Sequence, residues 1–255
     1  MTDFEYDETA VAREEANYQT VSMRARRAFV REQVALKPGD SVLSVGCGPG
    51  FEPAELASAG RAEQITGLDS NPIMLARARE RCPNDISLLR GDTPALPVAD
   101  STFDAAVSVQ VYEYIENLST ALTELHRVLR ADGRAVVYAT DWDSLIWYVD
   151  DQERADRVLT AWNDHCAHPR LGSKLRTVLE SSEFAIADIT PYTILLTELG
   201  RDSYAHYLLE SIREFVTPRV GEEPAQNWEE DLRTRDQCGE SFFSLTQFSY
   251  LIEPA

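Results

Sequence analysis

Lysine is almost missing from this chain: Lys37 and Lys174 are the two lysines among 24 basic residues in 255. Acidic residues number 43, so the formal charge at neutral pH is −19. A surface this negative repels phosphate backbones and argues against nucleic acid as a substrate. Cysteine is scarce too. Cys47, Cys82, Cys166 and Cys238 form no C-x-x-C pair and no metal-ligand spacing, so neither a disulfide framework nor a metal site is expected. That usage fits a reducing, cytoplasmic compartment. No apolar run is long enough to span a bilayer, and no membrane partner is expected. The residues from Met1 to Asp7 are acidic and lack an apolar stretch, which reads as no signal peptide. No G-x-x-x-x-G-K-[ST] occurs, which excludes a P-loop.

Against these absences stands residues 42–50, Val-Leu-Ser-Val-Gly-Cys-Gly-Pro-Gly. The apolar run is too short and too β-branched for a helix and reads as a buried parallel strand. It breaks into Gly46, Gly48 and Gly50, where the backbone can turn sharply and pass close to a ligand. A second apolar stretch, Ile65-Thr66-Gly67-Leu68, ends on Asp69. A carboxylate at the tip of a second strand is where doubly wound α/β folds grip a ribose hydroxyl pair. The chain therefore reads as binding a nucleoside-containing cofactor. The G-x-G-x-G spacing differs from the dinucleotide G-x-G-x-x-G.

Ser44-Val45-Gly46-Cys47-Gly48-Pro49-Gly50 resembles the first motif of class I S-adenosylmethionine (SAM)-dependent methyltransferases, in the ubiquinone/menaquinone-methyltransferase-like (type 11) branch. Four more blocks resemble that family in order. They are Gly67 to Leu75, Gly91 to Pro97, Phe103 to Gln110, and Leu129 to Val137. The resemblance covers roughly residues 38–140. It implies a Rossmann-like, doubly wound seven-stranded sheet, mostly parallel with an antiparallel last strand. It also implies SAM as cofactor, S-adenosylhomocysteine as its product, and methyl transfer to a small organic acceptor by in-line displacement. A SAM-binding sensor without turnover and a nicotinamide-dependent dehydrogenase are the alternatives. One departure is Ser44, where the family usually carries Asp or Glu.

The β/α alternation from residue 38 to 140 implies a parallel sheet with right-handed crossovers. We expect one domain: a helical cap over residues 1–37, a cofactor-binding core over 38–142, lid insertions over 143–170 and 198–238, and the last strand over 239–255. Asp132-Gly133 is expected to turn into strand five at residue 134. Both monomer and homodimer remain open. The acidic, lysine-poor composition resembles proteins of salt-loving archaea.

The site follows from the matching motifs. Gly46, Gly48 and Gly50 are expected against the methionine end of the cofactor, and Asp69 with Ser70 at its ribose. Met74 is expected on the adenine face, Asp92 at the adenine amino group, and Thr93 donating its backbone N–H there. Gln110 is expected beside the methionine portion, and Tyr18 on an N-terminal segment folded over the cofactor. Relatives often carry His where this chain has Tyr114. Tyr114 and Asp141 are the catalytic candidates, with Asp141 the preferred general base. Tyr18, Tyr112, Trp142 and Trp147 are candidates for an aromatic acceptor pocket, or equally for core. His126 reads as structural, and His165 as reaching the lid.

Overall fold

A computed structural model describes residues 8–255; residues 1–7, the start of the expected cap, lie outside the described residues. Two helices come first, α1 (Glu8–Tyr18) and α2 (Val21–Val34). Thr20 separates them, its hydroxyl accepting the Met23 N–H that would otherwise be orphaned at the start of α2. Ala35 ends α2 by turning to φ 46°. Arg134 pins that end to the sheet. Its Nε donates to the Val34 carbonyl (2.7 Å), and its Nη2 to the Ala35 carbonyl (2.8 Å) and Asp40 (2.6 Å).

The alternation then runs β1 (Asp40–Val45), α3 (Phe51–Ser58), β2 (Ala62–Asp69), α4 (Pro72–Arg81), β3 (Ser87–Arg90), β4 (Phe103–Val109), α5 (Leu118–Val128), β5 (Leu129–Thr140). Next come β6 (Ile146–Trp147), α6 (Gln152–Trp162), α7 (Leu171–Leu179), β7 (Phe184–Leu196), α8 (Tyr204–Val220), α9 (Glu222–Gln237) and β8 (Phe243–Pro254). The sheet order is β3-β2-β1-β4-β5-β8, with β7 pairing along the whole of β8 and so covering its outer edge. Strands β1 to β5 are mutually parallel, and β8 is antiparallel to β5. The seven expected strands are present. The eighth, β6, adds two residues to the β5 side of β8, at Ser244 and Phe243.

Strand five begins at Leu129, earlier than the Asp132-Gly133 turn led us to expect. Leu129 already pairs with Phe103, and a register shift before Ala105 absorbs the extra residues.

Period-two alternation sorts the strand residues between two faces. Val42, Val136 and Tyr138 pack with Val30, Val34 and Leu56 of α2 and α3. Leu43, Val45, Ala135 and Val137 pack with Leu122 and Leu125 of α5 and Leu171 and Leu175 of α7. A third apolar cluster joins Trp142 and Trp147 to α6, α8 and α9 beyond the carboxyl end of β5. Strand order reverses between β1 and β4, so a crevice opens at their carboxyl ends, where ligands bind in such sheets. Among the described residues no helix is long and apolar enough to cross a membrane.

Candidate active site

Gly46, Gly48 and Gly50 lie at φ 64°, 52° and 84°, a region that costs other residues about 1–2 kcal/mol. A Cβ on Gly46 would stand 2.2 Å from Val111 Cγ2. One on Gly48 would stand in open space, its nearest neighbour the Tyr18 hydroxyl at 3.9 Å. One on Gly50 would meet Ala78 Cα at 2.8 Å and Cys82 Sγ at 2.9 Å. Gly50 therefore lets α3 lie close on α4. It does not line the crevice, contrary to the expected cofactor contact, whereas Gly46 and Gly48 do.

Asp69 ends β2 and faces this turn. Its Oδ2 accepts the Gly48 N–H at 2.8 Å and its Oδ1 the Asn71 N–H at 2.9 Å. Burial pushes its carboxyl above the ordinary range, and those N–H donors pull it back. Asn71 caps α4 by accepting from Ile73 (2.8 Å) and Met74 (3.2 Å), which sets Met74 on the first turn. The crevice is a cavity of about 350 Å³. It is lined by Gly46, Gly48, Asp69, Ser70 and Met74, and also by Asp92, Thr93, Gln110, Tyr18 and Tyr114. In place of the expected outward donation, the Thr93 N–H donates to Asp92 Oδ1 at 2.8 Å.

Tyr18 is held over the glycine turn from three sides. Its ring stacks on Phe51 with centroids 5.5 Å apart. Its carbonyl accepts from Arg27 at 2.7 Å. Its helix is tied down by Glu15 to Arg81 at 2.6 Å.

Gln110 sits at the tip of β4 with φ 54°, donates to Thr140 Oγ1 at 2.9 Å, and accepts from Arg26 Nη1. Arg26 is 1% exposed, and its Nε lacks a hydrogen-bond partner among the described residues. Glu113, wholly buried on the neighbouring turn, accepts the Thr140 N–H at 3.3 Å; burial raises its carboxyl to about 7.

Gln110, Tyr18 and Tyr114 also line a second, smaller cavity of about 100 Å³. Its remaining wall includes Glu14 and Asn17 from α1, Trp142, Trp162, His165, and Tyr204 from α8. His165 Nδ1 lies 2.6 Å from the Trp162 carbonyl oxygen. A carbonyl only accepts, so Nδ1 carries the proton and Nε2 is the bare nitrogen. That Nε2 is buried without a hydrogen-bond partner among the described residues, and burial lowers the imidazole to about 4.

Asp141 is placed differently from the general base the sequence suggested. Its Oδ1 accepts the Asp143 N–H (3.2 Å) and its Oδ2 the Ser173 N–H (3.1 Å), and it lines neither cavity. It is a capping group joining the end of β5 to α7. Of the four aromatic candidates, Tyr18 and Trp142 line the second cavity. Tyr112 is core, and Trp147 packs on Trp228 at 5.3 Å. His126 packs edge-on against Phe184, as a structural residue would. Arg26, Glu14, Asn17 and Trp162 were not singled out in the sequence. Their helices carry no motif, and polar residues on helices read as solvated faces.

Residues 43–137 match the family model described as a methyltransferase domain. A 37.1 kDa protein in transposon TN4556 of Streptomyces fradiae is 30% identical over 194 residues, covering 73% of this chain and 54% of that protein. The malonyl-[acyl-carrier protein] O-methyltransferase of Pectobacterium atrosepticum is 37% identical over 136 residues, covering 49% of this chain and 52% of the relative. The chain thus spans about half the length of these relatives. In fold it is similar to Haemonchus contortus phosphoethanolamine N-methyltransferase 2, solved in complex with SAM. That TM-score is 0.64 at 15% identity, over 99% of this chain and 59% of the other. Together with the glycine turn, Asp69 and the strand order, these matches mark residues 43–137 as a methyltransferase domain.

Proposed function

We propose that this chain transfers a methyl group from SAM to a small organic acceptor. The observation that carries the reading is a pair of cavities that share Tyr18, Gln110 and Tyr114 in their walls, the larger suited to a nucleoside cofactor and the smaller to an acceptor. Ligand sites typically enclose about 300–1,000 Å³, and the larger cavity, about 350 Å³, lies within that range.

The residues fit the cofactor. The space beside Gly48 is a cradle that a Cβ would enter, suited to close approach of the methionine tail. Asp69 presents a carboxylate to the ribose hydroxyls, in charge-assisted hydrogen bonds. Ser70 adds a polar group beside it. Met74 offers a polarizable thioether to the adenine face. Asp92 accepts at the adenine rim, its orientation held by the Thr93 N–H. Arg26 has no carboxylate ion pair among the described residues. It keeps a positive charge behind Gln110, suited to the amino-acid carboxylate.

Bound SAM supplies a methyl group already activated on a sulfonium. The protein's task is alignment and exclusion of water. Tyr18, Gln110 and Tyr114 line both cavities and form the gate through which the acceptor meets the methyl group. We assign residues 8–37, 143–170 and 198–238 the role of cap and lid, because Tyr18, Trp162, His165 and Tyr204 from them enclose the second cavity. Incubating the full chain with methyl-labelled SAM and extract of the source organism tests the reading. A labelled small molecule is expected. Tight SAM binding with no labelled product would leave a sensor instead.

A further inference from the structure

The second cavity is unusual in what its walls can accept. His165 Nε2 is an unpartnered lone pair on a residue 1% exposed. Asn17 Oδ1 is a second buried acceptor without a partner among the described residues. The Asn17 amide reaches Glu14 Oε1 only at 3.5 Å, at the limit of a hydrogen bond. Glu14 adds a carboxylate to the same wall, on which Asn17, Arg26 and Arg13 act. Around these stand the rings of Tyr18, Tyr114, Trp142, Trp162 and Tyr204. His165 is locked in place, stacked on Trp162 at 3.9 Å and edge-on to Trp142 at 4.8 Å. Its tautomer follows from the Trp162 carbonyl at Nδ1.

Resting on the methyltransferase reading, we infer that the acceptor is a small primary or secondary amine. The aromatic walls and Glu14 hold it, and His165 Nε2 accepts its N–H. Ring faces attract cations, and a carboxylate adds a counter-charge. Burial raises the Glu14 carboxyl, so a bound cation returns it to its charged form. The imidazole, lowered by burial, is too weak a base to ionise an alcohol. The ammonium form first loses one proton to solvent, and an amine in its free-base form needs no such step. Its nitrogen lone pair forms the new N–C bond as the C–S bond breaks, and that bonding pair stays on sulfur, which leaves as a neutral thioether. The resulting methylammonium carries the positive charge that sulfur has lost and leaves as a cation, giving up its proton only in solvent. Arg26 donates to Gln110, and its charge together with that of Arg13 also favours the Glu14 carboxylate.

The test uses the full chain saturated with S-adenosylhomocysteine, titrated with tetramethylammonium and with its neutral analogue tert-butanol. Tetramethylammonium is expected to bind at least about tenfold tighter, and Glu14→Gln to erase most of that preference. Turnover with labelled SAM is then compared for propylamine, dimethylamine and ethanolamine against propanol and propionate. Amines are expected to be methylated, and His165→Asn to lower kcat by about 10²-fold with KM for SAM unchanged. Equal binding of the two probes, or methylation confined to the alcohol or acid, overturns the amine assignment and leaves the methyltransferase reading standing. Absence of S-adenosylhomocysteine binding by the unaltered chain removes both.

Discussion

Replacing Gly46 by alanine probes a cavity-wall glycine whose left-handed backbone lies against the Val111 side chain. The new Cβ would stand 2.2 Å from Val111 Cγ2 and 3.1 Å from Cγ1, on a backbone held at φ 64°. Two costs add. The left-handed conformation costs a side-chain-bearing residue about 1–2 kcal/mol. Forcing a methyl into occupied space costs about 1–3 kcal/mol. The single variant should therefore lose about 2–5 kcal/mol in denaturant unfolding. Val111→Ala removes the atoms the methyl would strike, so the double variant Gly46→Ala/Val111→Ala should regain the packing part and keep the conformational part. A double-mutant cycle by urea titration then gives a coupling of about 1 kcal/mol or more, of stabilising sign. A Gly46→Ala loss below about 0.5 kcal/mol, or additive variants, would refute the geometry of the turn.

Three further outcomes are expected. Asp69→Ala should weaken SAM binding by at least about tenfold, or about 1.4 kcal/mol, in calorimetry, and an unchanged dissociation constant removes Asp69 from the site. Glu52 and Glu113 are buried, with carboxyls raised from 4.5 to about 7. The folded state therefore holds these protons more tightly than the unfolded chain. Their contribution is complete below pH 4.5 and is lost as pH rises toward 7, at about 1.4 kcal/mol per unit for each group. Glu113→Gln should flatten that fall in thermal melts between pH 5 and 7, and an unaltered slope counts against its burial as an acid. With 43 acidic side chains against 24 basic ones, the melting temperature should climb with KCl up to and beyond about 1 M, where simple screening is already short-ranged. A plateau well below that concentration contradicts a salt-adapted surface.

The cofactor half of the site was legible because it is local. Val42 to Gly50 and Ile65 to Asp69 each encode a strand and its turn within a few residues, and parallel pairing puts the two tips side by side. The sheet followed from the same alternation. Gly50 misled because a left-handed glycine can serve packing as well as a ligand, and only the position of Ala78 separates the two. Asp141 misled for a related reason. A carboxylate after strand five points toward the ligand edge, yet the N–H of Ser173, from a distant helix, claims it. The second cavity was not legible. It joins Glu14, Gln110, Trp142, His165 and Tyr204, which share no periodicity. Arg26 lies on a helix that reads as charged throughout, and its burial emerges only where α2 meets Tyr138 and Gln110.

A crystal structure of the chain with S-adenosylhomocysteine tests the central claim most directly. The account predicts the nucleoside in the larger cavity, its ribose hydroxyls on Asp69, its adenine against Met74, and its sulfur facing Gln110 and Tyr114. A cavity that stays empty at saturating ligand, or a ligand bound away from Asp69, would contradict it.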